Sequence, residues 1–267
     1  MKLAISGKGG VGKTTFTGVL ARILSDRGYT VITVDADPDA NLGSAIGFTA
    51  EETAKIRPIA EMSDLIEERT GARPGSMGGV FKLNPVVNDI PENYSLKKDN
   101  IRLLTLGRAK KGGSGCYCPE GVFLKRLLGH LLLQSNEVVL LDMEAGIEHL
   151  SRGTTSGVDA FIVIVEPGRR SLQTAADVKR MAADLGVKTI FVVGNKAGSE
   201  EERHFMEEHF PEEELLGILS YDRGVIEADL EGLSPYDTKA AIVGEVEEIL
   251  DRILQKTGKG KEARSDG

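Results

Sequence analysis

A glycine-rich segment near the start of the chain carries the residues with the clearest chemistry. Residues 7–15 read GKGGVGKTT, which fits G-x-x-x-x-G-K-S/T between a strand-like and a helix-like run. Backbone N–H groups and a helix N-terminus in such a loop surround phosphate, and Lys13 reaches the β- and γ-phosphates in binding and catalysis. Thr14 offers its hydroxyl to Mg²⁺. The predicted nucleotide-binding residues here are Gly9, Gly10, Val11, Gly12, Lys13, Thr14 and Thr15.

Carboxylates follow two further strand-like runs. Asp35 and Asp37 come at the end of the second run, and Asp142 ends the apolar run 137–142. Open α/β sheets bind ligands in the crevice beyond the carboxyl ends of their strands. We therefore expect these carboxylates to lie in the crevice where a ligand binds.

A third segment at the same sheet edge, residues 194–198, reads GNKAG. It resembles the base-recognition element N-K-x-D of related NTPases, but Gly198 stands where the aspartate that pairs with guanine would be. The pattern therefore favours ATP over GTP, with Asn195 and Lys196 at the adenine. The backbone around Ser220 and Asp222 is expected to close the base pocket.

The chain has two cysteines, Cys116 and Cys118. In extended backbone, residues i and i+2 face the same way about 6–7 Å apart, so both sulfurs can approach one ion. A disulfide between residues so close in sequence would be strained. Two thiolates do not close a tetrahedral site, which a two-fold pair of chains would complete. Square-planar sulfur suits Ni²⁺ and tetrahedral sulfur suits Zn²⁺, so both metals stay open.

Composition limits the classes of function. The 267 residues are 40% hydrophobic and 28% charged, which indicates a folded chain with a sizeable core. The formal net charge of −8 argues against non-specific nucleic-acid binding as the main function. No apolar run approaches the roughly 18 residues that a bilayer span requires. A strand-like run starts at residue 2 and leaves no room for a signal peptide, so a cytoplasmic location is expected.

Strand-like and helix-like segments alternate along the chain. Strands are predicted at 2–6, 29–35, 101–106, 137–142, 159–165, 188–193 and 214–219, and helices at 59–69, 121–134, 171–185, 199–209 and 236–256. A further helix should end at Gly28. The alternation predicts an α/β fold with a doubly wound, mainly parallel sheet flanked by helices on both faces. Residues 71–100 read as a long connection. One domain is expected over 1–256 and a disordered tail over 257–267.

A second lysine in the phosphate loop, Lys8, narrows the class of nucleotide-binding protein that the sequence resembles. Residues 8–14 resemble the deviant Walker A ATPases, whose pattern is K-G-G-x-G-K-S/T. The resemblance implies a P-loop NTPase fold and a homodimer in which Lys8 contacts the nucleotide of the partner subunit and acts in catalysis. It also implies that Asp37 orients the attacking water, with Asp35 close to the metal and the phosphates. It further implies that Asp142 holds Mg²⁺ through water and that the Gly146 amide senses the γ-phosphate.

Three other stretches carry a narrower resemblance. Residues 115–119 (GCYCP), 142–149 (DMEAGIEH) and 165–168 (VEPG) look like the nickel-insertion ATPases that mature carbon monoxide dehydrogenase, and like their relatives serving acetyl-CoA synthase. The resemblance implies a dimer that binds one Ni²⁺ or Zn²⁺ at its interface through four cysteines. It further implies that the cycle from ATP to ADP is coupled to metal delivery to the client nickel enzyme.

Two competing classes share the phosphate loop. Redox ATPases like the nitrogenase iron protein bridge an iron–sulfur cluster with cysteines from two separated segments, and iron–sulfur scaffold ATPases usually carry C-x-x-C late in the chain. This chain has a single cysteine-bearing segment. ATPases that position structures on membranes need a cationic amphipathic C-terminal helix, whereas the helix at 238–256 is acidic. We therefore expect neither a membrane nor a nucleic acid as partner.

Overall fold

Every residue of the first strand is buried, as the centre of a parallel sheet requires. The computed structural model describes residues 1–37, 40–75, 80–107, 118–133, 137–144 and 157–259. Within them the strands are β1 Lys2–Gly7, β2 Val31–Asp35, β3 Leu96–Lys98, β4 Ile101–Thr105, β5 Val138–Asp142, β6 Ala160–Val165, β7 Ile190–Ala197 and β8 Leu215–Ser220. All of them belong to one sheet.

Helices connect these strands. They are α1 Lys13–Asp26, α2 Leu42–Ile46, α3 Ala50–Thr53, α4 Ser63–Thr70, α5 Ile90–Asn93, α6 Pro119–Leu133, α7 Arg169–Asp184, α8 Glu200–His209, α9 Arg223–Glu231 and α10 Ile242–Thr257. A short 3₁₀ turn, Ile59–Glu61, precedes α4. The described part of the chain contains no helix long and apolar enough to cross a membrane.

The strand order is β3-β4-β2-β5-β1-β6-β7-β8, and only the edge strand β3 runs antiparallel to its neighbour. Two hydrophobic clusters lie on opposite faces. Phe16 and Val246 bring α1 and α10 to one face, whereas Phe123 and Met206 bring α6 and α8 to the other. The predicted α/β fold, with a doubly wound sheet between two helical layers, is confirmed.

The seven predicted strands are present, with shifted ends. β7 continues past residue 193 to Ala197 and so contains the GNKAG segment. The helix predicted at 236–256 begins later, at Ile242, and ends at Thr257, whereas residues 260–267 of the predicted tail lie outside the described residues. Gly28 follows α1 with φ +87°, and its N–H donates to the Ser25 carbonyl, which confirms the predicted helix end.

Five short elements were not predicted: β3, α2, α3, α5 and α9. β3 and α5 lie inside the predicted long connection at 71–100. The first four have three to five residues, which is too few for a hydrophobic period to be read.

Helices α1 and α2 touch at a glycine. A Cβ built on Gly18, in the middle of α1, would lie 2.7 Å from the Cβ, C and O atoms of Ala45. Gly244, in α10, has nothing within 4 Å of the same position. Alanine substitutions at the two glycines therefore distinguish the effect of close packing from the effect of helix propensity.

We predict opposite effects of alanine at these positions. Gly18→Ala should lower the free energy of unfolding by about 1–3 kcal/mol because α2 must move. Gly244→Ala should raise it by about 0.5–1 kcal/mol because alanine is the better helix former. Urea unfolding of both variants measures this. A Gly18→Ala protein as stable as the wild type would contradict the close approach of α1 and α2.

Candidate functional site

The phosphate loop joins β1 to α1 and leaves the first turn of α1 available to an anion. Gly12 has φ +94°, and a Cβ there would lie 2.2 Å from Asn195 Nδ2, so only glycine fits. Among the described residues no side chain caps α1, and its first turn contains no acidic residue. Its first N–H groups therefore form a binding site for phosphate.

Lys13 is held at this loop although it is only 5% exposed. Its Nζ donates to the Lys8 carbonyl at 3.3 Å and lies 4.0 Å from Asp37 Oδ2. The ammonium group therefore lies beside the phosphate loop. Asp37 and Lys13 line the same cavity.

Thr14 and Asp142 meet at the end of β5. Thr14 Oγ1 donates to Asp142 Oδ2 at 2.7 Å, and Asp142 is fully buried. Its Oδ1 has no hydrogen-bond partner within the described residues. A buried oxygen without a partner costs free energy that a bound cation would offset. The pair therefore fits Mg²⁺, which P-loop enzymes hold with a Thr or Ser and an aspartate.

Burial also shifts the protonation of two carboxyl groups. It raises the pKa of Asp142 to about 6, against the opposing effects of the Thr14 hydroxyl and of Lys13. It raises the pKa of Asp35 to about 7, with a further contribution from Asp142. Asp35 pairs with Asp142 in the β2–β5 register, so two acids lie side by side on adjacent strands.

Asp35 makes hydrogen bonds to the backbone of the turn after β2. Its carboxylate accepts the backbone N–H of Asp37 at 3.2 Å and that of Leu42 at 3.0 Å. These bonds fix the start of α2 and the position of Asp37 relative to Lys13. The observed contacts of Asp35 are therefore with backbone, and its predicted proximity to metal and phosphate stays a prediction.

Asn195 and Lys196 hold the phosphate loop from β7. Asn195 is 4% exposed, and its Nδ2 donates to the Val11 carbonyl at 2.6 Å. Lys196 has φ +60°, and its Nζ donates to the Gly10 carbonyl and to Glu166, both at 2.6 Å. Their predicted contact with adenine stays a prediction, whereas the contacts observed support the loop.

The predicted base-pocket residues after β8 make hydrogen bonds to α9 and α10. The N–H and hydroxyl of Ser220 donate to Glu245 in α10. Asp222 accepts the N–H of Gly224 at 2.8 Å and that of Ile242 at 3.0 Å, so it caps two helices. Neither residue lines the cavity at the phosphate loop. Their predicted place at the base pocket stays a prediction.

The cavity occupies about 690 Å³ between the phosphate loop, α2 and α9. Its apolar wall consists of Val225, Ile226, Leu233 and Pro235. This volume lies within the usual range of small-molecule sites, and an apolar wall facing a phosphate loop suits a nucleotide base. Helix α9 was not predicted, although the apolar residues Val225, Ile226 and Ala228 after the strand at 214–219 indicate a short helix. Glu144, which had no predicted role, also lines the cavity.

Of four further predicted site residues, two lie within the described residues and two lie outside them. Lys8 is exposed, and its side chain makes no hydrogen bond or ion pair in the portion described. Gly146 and Cys116 lie outside the described residues. Cys118 is partly buried directly before α6. Burial raises the pKa of its thiol, the Gly121 N–H lowers it, and Glu120 raises it.

Known proteins share this architecture. Residues 2–236 match the family described as CobQ/CobB/MinD/ParA nucleotide binding domain. The chain is 46% identical to the carbon monoxide dehydrogenase accessory protein CooC of Rhodospirillum rubrum, over 97% of this chain and 98% of that protein. It is 43% identical to an uncharacterized ATP-binding protein of Methanocaldococcus jannaschii, over 96% of this chain and 98% of that protein.

Solved structures show the same fold at low sequence identity. The MinC:MinD cell division protein complex of Aquifex aeolicus contains a chain with a TM-score of 0.68 and 20% identity, covering 95% of both chains. A plasmid partition protein of Borrelia burgdorferi bound to AMPPNP has a TM-score of 0.70 and 18% identity, covering 96% of this chain and 98% of that one.

The raised pKa values predict a pH-dependent stability. A carboxyl group whose pKa is higher in the folded state stabilises the fold below its unfolded pKa and loses that contribution as pH rises. Without Mg²⁺ and nucleotide, the free energy of unfolding should therefore fall between about pH 4 and about pH 7. Asp142→Asn should remove on the order of 1–3 kcal/mol of that fall.

Urea unfolding at pH 4.5 and pH 7.5 measures the difference. Asp229→Asn, at an exposed acid of the same cavity, serves as the matched control and should leave the pH dependence unchanged. Equal pH dependence in wild type and Asp142→Asn would show that the Asp142 carboxyl group titrates at its ordinary pKa.

Proposed function

The chain belongs to the CobQ/CobB/MinD/ParA nucleotide-binding family, and from this premise we propose that it is an accessory ATPase that couples its cycle to nickel insertion into carbon monoxide dehydrogenase. The observation that carries the proposal is the 46% identity, along nearly the whole of both chains, to an accessory protein of that enzyme. Acetyl-CoA synthase is the alternative client that the sequence resemblance implies.

ATP binding and hydrolysis follow from the residues at the cavity. The first turn of α1 and Lys13 bind the phosphates, and Thr14 with Asp142 would hold Mg²⁺. Bound Mg²⁺ neutralises charge on the β- and γ-phosphate oxygens. Asp37 faces the cavity near Lys13, and in the proposed reaction it orients the attacking water. The apolar wall of α9 would pack against adenine.

In the proposed cycle a second copy of the chain completes the site. Lys8 is exposed and makes no side-chain bond in its own chain among the residues described. An ammonium group that reaches a partner's γ-phosphate stabilises charge in the transition state, as an arginine finger does. We therefore assign Lys8 to the partner's active site, and the Gly146 amide to the γ-phosphate of its own chain.

The metal is the cargo of this cycle. We assign Cys116 and Cys118 of each chain to one Ni²⁺ or Zn²⁺ at the dimer interface. Because closure changes the separation of the two cysteine pairs, the affinities for ATP and metal should depend on each other. The solved structures share only 18–20% sequence identity with this chain, so they support its fold alone. They give no support to a membrane or DNA function of this chain.

Lys8→Ala tests the contribution of the second copy. The variant should bind ATP with unchanged affinity, because the phosphate loop of its own chain remains intact. Its hydrolysis rate should fall about 10³-fold, because the partner's transition state loses a positive charge. Steady-state phosphate release and nucleotide titration measure the two quantities. Lys188→Ala, at another exposed lysine, is the control and should hydrolyse ATP at the wild-type rate. Wild-type hydrolysis by Lys8→Ala would contradict the role in trans.

Metal titration tests the proposed function as a whole. The dissociation constants of Ni²⁺ and Zn²⁺ should differ at least fivefold between protein with and without a non-hydrolysable ATP analogue, a typical size for coupling between sites. The double variant Cys116→Ala, Cys118→Ala should lose metal binding and keep nucleotide binding. Equal metal affinity in both nucleotide states would contradict the coupling.

A further inference from the structure

The first turn of α6 contains a buried acid that the proposed cycle does not use. Glu120 is only 3% exposed, and its Oε2 has no hydrogen-bond partner among the described residues. A buried carboxylate is costly unless a cation or several donors compensate it. Among the described residues no lysine or arginine forms an ion pair with Glu120. A bound divalent cation would offset the cost of burying this carboxylate.

A sulfur atom lies beside this carboxylate. Cys118 directly precedes α6, and its carbonyl accepts the Val122 N–H at 3.0 Å. A Cβ built on Gly121 would lie 3.1 Å from Cys118 Sγ, so the sulfur is packed against the first turn of the helix. Glu120 belongs to this same first turn of α6. One sulfur and one buried carboxyl group thus lie at the same helix start within a single chain.

We propose that Cys118 and Glu120 form a loading site that holds the divalent ion in one chain before two chains meet. This inference rests on the proposed function, because the ion is the nickel or zinc that the cysteines carry. As the metal–sulfur bond forms, the thiol proton leaves to solvent, since the thiolate is the ligand. Glu120 then provides an oxygen donor that needs no partner subunit.

The two donor sets would have different strengths. Thiolates suit Ni²⁺ and Zn²⁺, whereas a carboxylate is a harder ligand that these ions exchange more readily. In the closed dimer the partner's thiolates replace the oxygen of Glu120, and the ion passes from a mixed site to a sulfur site. Binding of the ion to a single chain would then depend on Glu120, whereas binding of the ion in the ATP-bound dimer would not.

The experiment compares metal binding in two nucleotide states. Ni²⁺ and, separately, Zn²⁺ are titrated into full-length wild type, Glu120→Gln and Cys118→Ser, without nucleotide and with Mg²⁺ and a non-hydrolysable ATP analogue. Glu201→Gln is the matched control, because Glu201 is also the second residue of its helix but is exposed. X-ray absorption of the nucleotide-free wild type identifies the donor atoms without any substitution.

We expect nucleotide-free Glu120→Gln to bind the ion at least tenfold more weakly than wild type and Glu201→Gln, a loss comparable to that of other site-orienting groups. With the ATP analogue the three proteins should bind equally. The wild-type absorption spectrum should require oxygen as well as sulfur. Metal-free Glu120→Gln should unfold at a temperature no lower than wild type, because a buried carboxylate has been removed.

Three results would overturn the inference, and they do so in two different ways. A sulfur-only spectrum, or unchanged nucleotide-free affinity in Glu120→Gln, would remove Glu120 and leave the shared cysteine site standing. Wild-type affinity in Cys118→Ser would remove the cysteine site itself, and with it both the metal part of the proposed function and the loading site.

Discussion

Two buried carboxyl groups, Asp35 and Asp142, lie on adjacent strands at the carboxyl edge of the sheet, and the site depends on how they are accommodated. Burial opposes their ionisation, and their proximity raises the pKa of Asp35 further. Backbone N–H groups after β2 satisfy Asp35, whereas one oxygen of Asp142 lacks a partner within the described chain. A cation at Asp142 would relieve this cost, which links nucleotide and metal binding to the stability of the fold.

The sheet and the phosphate loop could be predicted because their signals are local. Buried strands of a parallel sheet are continuous apolar runs, and the loop pattern combines glycines with Lys13 at fixed spacing. Thr14 in the first turn of α1 and Asp142 at the end of β5 meet at one sheet edge. The match of residues 2–236 to a nucleotide-binding family agrees with this part of the interpretation.

The remainder of the site depends on contacts between distant segments. Asn195 stood in a base-recognition motif, but its amide is used by the Val11 carbonyl, and only the close packing of β7 on the loop reveals this. Ser220 donates hydrogen bonds to Glu245 in α10, and Asp222 accepts the N–H of Ile242 at the start of α10. These bonds form because α10 lies against the end of β8, and the order of residues alone does not predict them. The burial of Glu120 could not be predicted either. The order of polar and apolar residues in a helix does not show which of its polar side chains the rest of the fold covers.

The central claim is that two copies of the chain close on each other around ATP. Light scattering of the full-length protein with Mg²⁺ and a non-hydrolysable ATP analogue, with and without Ni²⁺, tests it most directly. The account predicts a particle of twice the mass of one chain in the ATP-analogue state, whether or not Ni²⁺ is present. A single-chain mass under every nucleotide and metal condition would contradict it.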